Sequence, residues 1–401
     1  MLVFLILVTI LIITAYYSKL FVPPYHINKW FLVNIVVAGL LFTFHIFEIM
    51  YFKTVILDSS QTFFNANFFT VFDELFFYEK MSNYPTSSRF LTPLSQLQDA
   101  KLSFLFNIKY ELYYIFGFLT LQFSHPLALK LVNLFFVFFI LLLLYSVSNR
   151  NPKILMFFPI CFPYLYLLSF TNMRDMQLIF FSLFLFRMVD PFRKRHLLLI
   201  IPICILILSY RPIMLFVSLF IILIVLYPSL KKAHRYILLT LAGLLCILSA
   251  PFIVINFRRA TILTIQAITN GGGSITSLYL QGIFKQLLAP VPISKINYLL
   301  NPANIDTNPK HTLHIFESSR ILLMSWVYVA YGVVLFNLKS FWTFIRSSQF
   351  NVCLFWFALF NTLMYVIYMG GMGSSRNKLY PFILIFLYIA DRMSPPEKTS
   401  I

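Results

Sequence analysis

Long runs of Phe, Leu, Ile and Val, broken by short clusters of Lys, Arg, Asn and Pro, recur along this chain from Met1 onward. A hydrocarbon core is about 30 Å thick, so about 20 apolar residues at about 1.5 Å each carry a helix across it. Runs of this kind predict membrane-spanning helices at 1–17, 30–50, 127–147, 154–170, 176–191, 197–210, 212–228, 236–257, 320–338, 350–369 and 378–391. The runs lack the alternation of a barrel strand, and helices satisfy their own backbone polar groups where water is missing. The expected fold is all-α, a polytopic transmembrane bundle of about eleven spans, with one domain over 1–391 and a tail at 392–401. The segment 104–123 is interrupted by Asn107, Lys109, Tyr110 and Glu111, and reads as an interfacial helix. The first run has no basic segment before it and no small-residue cleavage site before Ser18 and Lys19, so it is expected to be a span rather than a signal peptide.

Composition sharpens this picture. The chain is 60% hydrophobic and 11% charged, far from the roughly one-quarter charged content of soluble domains, which excludes a soluble fold. Its four cysteines, Cys161, Cys204, Cys246 and Cys353, all fall inside apolar runs, where a thiol behaves as a small hydrophobe; neither a disulfide nor a zinc site is implied. The net charge of +18 is dispersed over short membrane-flanking loops without a nucleic-acid-binding motif, so membrane lipids and not nucleic acid are the expected partners.

Those loops set the topology. Arg150 with Lys153, Arg193 with Lys194 and Arg195, Lys231 with Lys232 and Arg235, and Lys339 with Arg346 recur two spans apart and mark the cytoplasmic side. By parity, the loops 51–126 and 258–319 and the turns at 171–175, 210–211 and 370–377 face outward, and 104–123 does not span. Nine acidic residues fall outside or at the outer edge: Asp58, Asp73, Glu74, Glu79, Asp99, Glu111, Asp175, Asp306 and Glu317. The outer face therefore gathers the candidate chemistry. Residues 197–228 supply about 32 helical positions, or about 48 Å for two crossings that want about 60 Å. Arg211 at the tip of that hairpin is expected to be partly submerged, and the hairpin 154–191 puts Arg174 and Asp175 in a similar place. Intramembrane charge is costly, so a partner or a water-filled cavity is expected beside each.

The stretch Val71-Phe72-Asp73-Glu74-Leu75-Phe76-Phe77-Tyr78 places adjacent carboxylates among aromatics suited to the membrane interface. One carboxylate of such a pair can take a proton from an acceptor, while the other holds a divalent cation or orients the acceptor. A solvated acidic turn is the plain alternative. An outward Asp-Glu with an aromatic four residues on resembles the first-loop motif of the GT-C membrane glycosyltransferases, relatives of the protein mannosyltransferases and the lipid A aminoarabinose transferase. Further resemblances follow in order. Leu131 to Tyr145, with Asn133, is similar to the next span; Phe162-Pro163-Tyr164 and Asn172-Met173-Arg174-Asp175 resemble the paired short helices after it. Tyr210-Arg211-Pro212 resembles a basic-plus-proline turn, and Ser375-Arg376-Asn377-Lys378-Leu379-Tyr380-Pro381 resembles the late Arg-x-x-x-x-Pro element.

The resemblance implies transfer of a sugar from a polyprenyl-phosphate donor to a glycan, lipid or protein acceptor at the extracytoplasmic face of a plasma membrane of the bacterial inner-membrane kind, in cell-envelope polysaccharide synthesis. It implies Asp73 as catalytic base with Glu74 beside it, Tyr78 in the same cavity, and in some members a divalent metal, Mg or Mn, on Asp73 and Glu74. Two spans precede the Asp-Glu loop where many relatives have one, and no large soluble domain follows the last span.

Arginine has forked donors that suit a departing phosphate, which makes Arg211 and Arg376 candidate donor ligands, though each also fits an interfacial anchor. Arg174 beside Asp175 reads either as a structural ion pair or as part of the site, and Arg258 and Arg259 as headgroup or donor contacts. His125, His311 and His314 read as surface histidines, because no third ligand lies near the last two. His45 and Glu48 are expected to hydrogen-bond inside the bundle, the Glu also being a functional candidate. Two other readings stay open. A polysaccharide polymerase or ligase on polyprenyl-linked glycans would rely on the arginines and less on a carboxylate. A glycan transporter or flippase would show midplane helix breaks and an internal repeat, which the sequence does not display.

The orientation has a direct test. A cysteine replacing Ser274 is expected to react with an impermeant thiol reagent from outside, and one replacing Ser400 only after permeabilisation; the opposite pattern inverts the topology.

Overall fold

A computed structural model describes residues 29–56, 126–170, 175–190, 196–229, 326–369 and 379–393, with scattered helical positions between 235 and 254. Every regular element among these residues is helical: α1 (Lys29–Ile56), α2 (Pro126–Val147), α3 (Pro152–Cys161), α4 (Pro163–Ser169), α5 (Asp175–Val189), α6 (Leu197–Tyr210), α7 (Pro212–Leu226), α8 (Trp326–Phe336), α9 (Leu338–Arg346), α10 (Gln349–Met369) and α11 (Leu379–Arg392). Proline opens α3, α4 and α7, where its fixed φ fits and its missing N–H removes a donor that would have had no helical partner. The chain divides into two compact units. The first holds α1 to α4, α5 through Leu185, and α6; the second holds the end of α5 from Phe186, then α7 to α11.

In the first unit α1 and α2 each pack against both α3 and α4. The turn into α3 is tight. Asn149 and Arg150 adopt positive φ of 53° and 63°, the Arg150 N–H reaches back to the Tyr145 carbonyl at 2.9 Å, and Asn151 caps α3 by accepting from the Lys153 N–H at 3.1 Å. Asn tolerates the left-handed region because its side chain can bond locally; Arg150 is held there by the turn.

Pro159 lies inside α3 and has no N–H to give to the carbonyl of Leu155, four residues back. That carbonyl is satisfied from another helix: the Asn34 amide of α1 donates to the Leu155 oxygen at 2.7 Å and also to the Trp30 oxygen at 2.7 Å. The Asn34 Oδ1 accepts from the Tyr166 hydroxyl of α4 at 2.7 Å. One fully buried amide thus ties α1, α3 and α4 together. Around it the Tyr166 ring meets Phe158 and Phe138 edge-on, at 5.9 and 6.2 Å. The opposite face of α1 carries Leu32, Val36, Leu40 and Phe44, all exposed and four residues apart.

In the second unit α10 is central, packed by α7, α9 and α11. Phe357 stands between Phe186 at 5.3 Å and Tyr380 at 4.7 Å, both edge-on. The Asp190 carboxylate accepts from the Phe350 N–H at 3.1 Å, so the first turn of α10 is capped by a residue 160 positions earlier. Arg187 donates to the carbonyl of Asp190 and fixes the chain that presents this cap. Ala330 and Val334 of α8 pack on Ile385 and Tyr388 of α11.

Two sequence expectations need correction. The span expected at 154–170 is two helices, α3 and α4, bent by 69° at Phe162. Pro159 and Pro163 each remove a backbone donor there, so the ladder cannot run through. The span expected to reach 338 ends at Phe336, and α9 (Leu338–Arg346), which takes in the expected basic loop from Lys339 to Arg346, lies at 94° to α8. Asn337 makes the break: its N–H bonds Val334 O, three residues back, while its side-chain amide takes Val333 O at 2.9 Å. Among the described residues no single helix is long and apolar enough to cross a membrane; by length and composition the bent pairs α3 with α4 and α8 with α9 pass.

Replacing Asn34 by Leu is expected to destabilise the first unit strongly, because it strands both the Leu155 carbonyl and the Tyr166 hydroxyl, at on the order of 1–3 kcal/mol for each buried group left unpaired. Tyr166→Phe strands only the Asn34 oxygen and should cost less. Unfolding curves in mild detergent rank the two, and equal midpoints for all three proteins would remove Asn34 from its place in the fold.

Candidate functional site

The candidate site begins where α2 and α5 lie side by side. The Gln177 amide donates to the Asn133 oxygen at 3.3 Å, and Phe180 meets Phe136 at 5.6 Å. Both pairs are offset by 44 residues (177−133 and 180−136), so the two helices run parallel in one register. Asp175, the first residue of α5, is therefore level with residue 131, five positions inside α2, which begins at Pro126. At about 1.5 Å per residue α5 starts about 7.5 Å below the start of α2. The returning segment explains the shortfall, since 152–169 supplies 18 positions against the 22 of α2, and its 69° bend shortens the climb further.

At this lowered end Asp175 is only 6% exposed, and its carboxylate stands at the positive end of the α5 dipole. Two residues on, Gln177 is fully buried; its Oε1 accepts no hydrogen bond among the described residues. The Ser182 hydroxyl, one turn further down, is also buried without a described partner. An aromatic wall of Phe136, Phe139, Phe180, Phe181 and Phe184 lies alongside, with Phe180 stacked on Phe184 at 5.4 Å. Deeper in α1, His45 is buried and stacks on Phe170 at 5.4 Å.

In the second unit Arg211 is half-buried at the N-cap of α7, with extended backbone at φ −153° and ψ 96°. Pro212 is the reason. It forces the preceding residue out of the helical region, so the arginine closes one helix and caps the next, and the N–H groups of Met214 and Leu215 both reach its carbonyl, at 3.0 and 3.4 Å.

Of the residues singled out by sequence for the site, Asp175 and Arg211 are described, as is His45. Asp73, Glu74, Tyr78, Arg174, Arg258, Arg259 and Arg376 lie outside the described residues, as do His125, His311, His314 and the side chain of Glu48. Among the described residues no group of three or more His, Cys, Asp or Glu side chains converges as a metal site. Sequence reading passed over Gln177 and Ser182. Their signal was present, since a Gln and a Ser interrupt the apolar run Met176 to Val189 at positions that share a helix with Asp175. Comparison with family models, with curated proteins and with solved structures finds no match for this chain.

Gln177→Met keeps the length of the side chain while removing an acceptor that gains nothing in the folded bundle. The expected cost is about 1–3 kcal/mol, because the buried Asn133 oxygen loses the Gln177 amide that donates to it, and nothing further is lost with Oε1. A drop on denaturant unfolding well beyond that range would mean that Oε1 is engaged within the fold.

Proposed function

We propose that this chain is a polytopic membrane glycosyltransferase that moves a sugar from a polyprenyl-phosphate donor to an acceptor at the extracytoplasmic face. Three lines support the membrane part of the reading. The chain is 60% hydrophobic, basic clusters alternate with apolar runs, and the described helices turn apolar residues outward in continuous stripes, such as Leu32-Val36-Leu40-Phe44 on α1 and Trp356, Leu359, Phe360 and Leu363 on α10. Exposed apolar patches of that extent suit lipid rather than water.

The observation that carries the catalytic part is the lowered, polar start of α5. A buried carboxylate at Asp175 and an amide acceptor at Gln177 lie below the end of α2, at the face to which parity assigns the Asp73-Glu74 loop. A polar group at that level suits a lipid-linked donor that enters from the leaflet while its sugar meets a water-soluble acceptor.

The chemistry follows from the residue types. An acceptor oxygen or nitrogen attacks the anomeric carbon and gives its proton to the Asp73 carboxylate. The bond from that carbon to the phosphate oxygen breaks, and its electron pair leaves on the phosphate. Arg211 and Arg376 offset the charge that develops there, with Arg174, Arg258 and Arg259 as further cations at the same face, and Tyr78 and Asp175 orient the sugar.

On this reading Asp73→Asn abolishes transfer while donor binding persists, because shape is kept and only charge and proton acceptance are lost. Arg376→Ala weakens binding as well and lowers the rate by about 10²–10³. Transfer from a polyprenyl-phosphate sugar in liposomes, with folding checked separately, is the measurement. Full activity of Asp73→Asn, with loss in Arg211→Ala and Arg376→Ala, would favour a polymerase that depends on its arginines.

A further inference from the structure

The break at Asn337 turns α9 through 94° from α8, and α9 is itself divided by chemistry. At about 3.6 residues per turn, Phe344, Phe341, Ile345, Leu338 and Trp342 form one continuous arc, and Arg346, Lys339, Thr343 and Ser340 fill the other. The inner part of the apolar arc is used within the unit. Ile345 is buried, and Phe341 and Phe344 pack on the Tyr388 ring of α11 at 5.1 and 5.5 Å. The outer part is open: Leu338 is 58% exposed, Trp342 41%, and Phe336 just before the break 91%. Beside these apolar groups, Lys339, Thr343 and Arg346 are exposed too. The free sector of α9 is thus half apolar and half cationic.

A third cation joins them. Arg392, exposed at the end of α11, donates to the Asn337 oxygen at 2.7 Å and to the Tyr388 hydroxyl at 3.2 Å, which holds its guanidinium at the elbow. Asp391 beside it is the one acidic residue at that end of α11. Arg346 lies over the Trp342 ring at 5.0 Å, and that ring meets Phe355 of α10 edge-on at 5.6 Å, so the tryptophan and the cation are positioned together.

Nine residues span about 13 Å, far short of a hydrocarbon core, and the right angle to α8 is the direction of the membrane plane if α8 is a span. Resting on the membrane reading alone and not on the transfer chemistry, we propose that α9 is an in-plane helix seated on anionic phospholipid at the cytoplasmic leaflet. Leu338, Trp342 and Phe336 enter the acyl boundary, while Lys339, Arg346 and Arg392 meet lipid phosphates. Charge complementarity selects the occupant: three cations at one rim match a leaflet rich in negative headgroups, and a Trp at headgroup depth suits the same level.

The test uses the full chain in vesicles of phosphatidylcholine with and without phosphatidylglycerol. Nitroxides placed at Leu338 and Thr343, with the native cysteines replaced, are expected to report acyl-boundary depth and aqueous exposure respectively. Nitroxides at Leu40 and Val329 report whether α1 and α8 lie in the bilayer at all. In the otherwise native chain, quenching of tryptophan fluorescence by lipids brominated near the headgroup should fall in Trp342→Phe. Enrichment of phosphatidylglycerol around the protein should drop in Lys339→Gln and Arg346→Gln, by up to about fivefold for each cation. Labels at Leu40 and Val329 in the core, with Leu338 and Thr343 equally deep, would make α8 and α9 a re-entrant segment and overturn this proposal alone. Unchanged phosphatidylglycerol enrichment in the double variant would overturn it too. Leu40 and Val329 labels in water would sink the membrane reading and the proposal with it.

Discussion

The hydrogen bond from Asn34 to the carbonyl of Leu155 is the contact on which the first unit depends. Pro159 opens the α3 ladder at that carbonyl, and the carbonyl is buried where water cannot compensate. A buried acceptor left alone costs enough that the helix carrying it needs an external donor. Asn34 supplies it and, with its remaining donor and its oxygen, bonds Trp30 and Tyr166. The amide is therefore more than a repair. By engaging α1, α3 and α4 at once, it allows a chain with two prolines in five positions, Pro159 and Pro163, to bend without leaving the bundle.

The start of α5 is set by length first. Residues 152–169 are 18 positions against the 22 of α2, so the returning chain falls short of the level at which α2 begins even before it bends, and α5 begins lower, in the register that Gln177 and Asn133 define. The polar residues at the head of α5 are thereby placed inside the packing rather than above it. Asp175 gains the dipole of α5 as compensation for its burial. Gln177 gains one bond through its amide and none through its oxygen.

Much of the helical framework was legible in the chain because apolar runs and prolines state their own limits. The expected segments 127–147, 197–210, 350–369 and 378–391 correspond to α2, α6, α10 and α11 within a residue or so at each end. What failed was continuity. Pro159 and Pro163 stood in view inside 154–170, yet a hydropathy run does not distinguish a bent pair from a straight span, because the bend depends on whether another helix offers a donor for the freed carbonyl. Asn337 was similar: one Asn in an apolar run reads as a tolerated guest, whereas here it bonds the Val334 and Val333 carbonyls of the preceding turn and accepts from Arg392, 55 residues away. Of the candidate site, Asp175 and Arg211 could be placed near helix ends from hairpin length alone. Gln177 and Ser182 could not, since a buried amide and hydroxyl acquire meaning from the neighbouring helix, and the offset of 44 between α2 and α5 is a tertiary fact.

The polar groups at the two ends of the helices are used differently. At the end read as cytoplasmic they are committed to architecture. Arg187 holds the Asp190 carbonyl, Asp190 caps α10, Arg235 reaches the Pro228 carbonyl and the Tyr227 ring, and Arg392 locks Asn337 and Tyr388. Such groups stabilise ends and corners through these bonds. At the end read as outward, the head of α5 keeps an amide oxygen unused at Gln177 with a hydroxyl at Ser182 a turn below, both in burial that ordinarily demands a partner. A fold that satisfies the Leu155 carbonyl with an amide from another helix has the means to satisfy these as well. The Gln177 oxygen and the Ser182 hydroxyl have no hydrogen-bond partner among the described residues, and together with the buried Asp175 they mark the head of α5 as the candidate site.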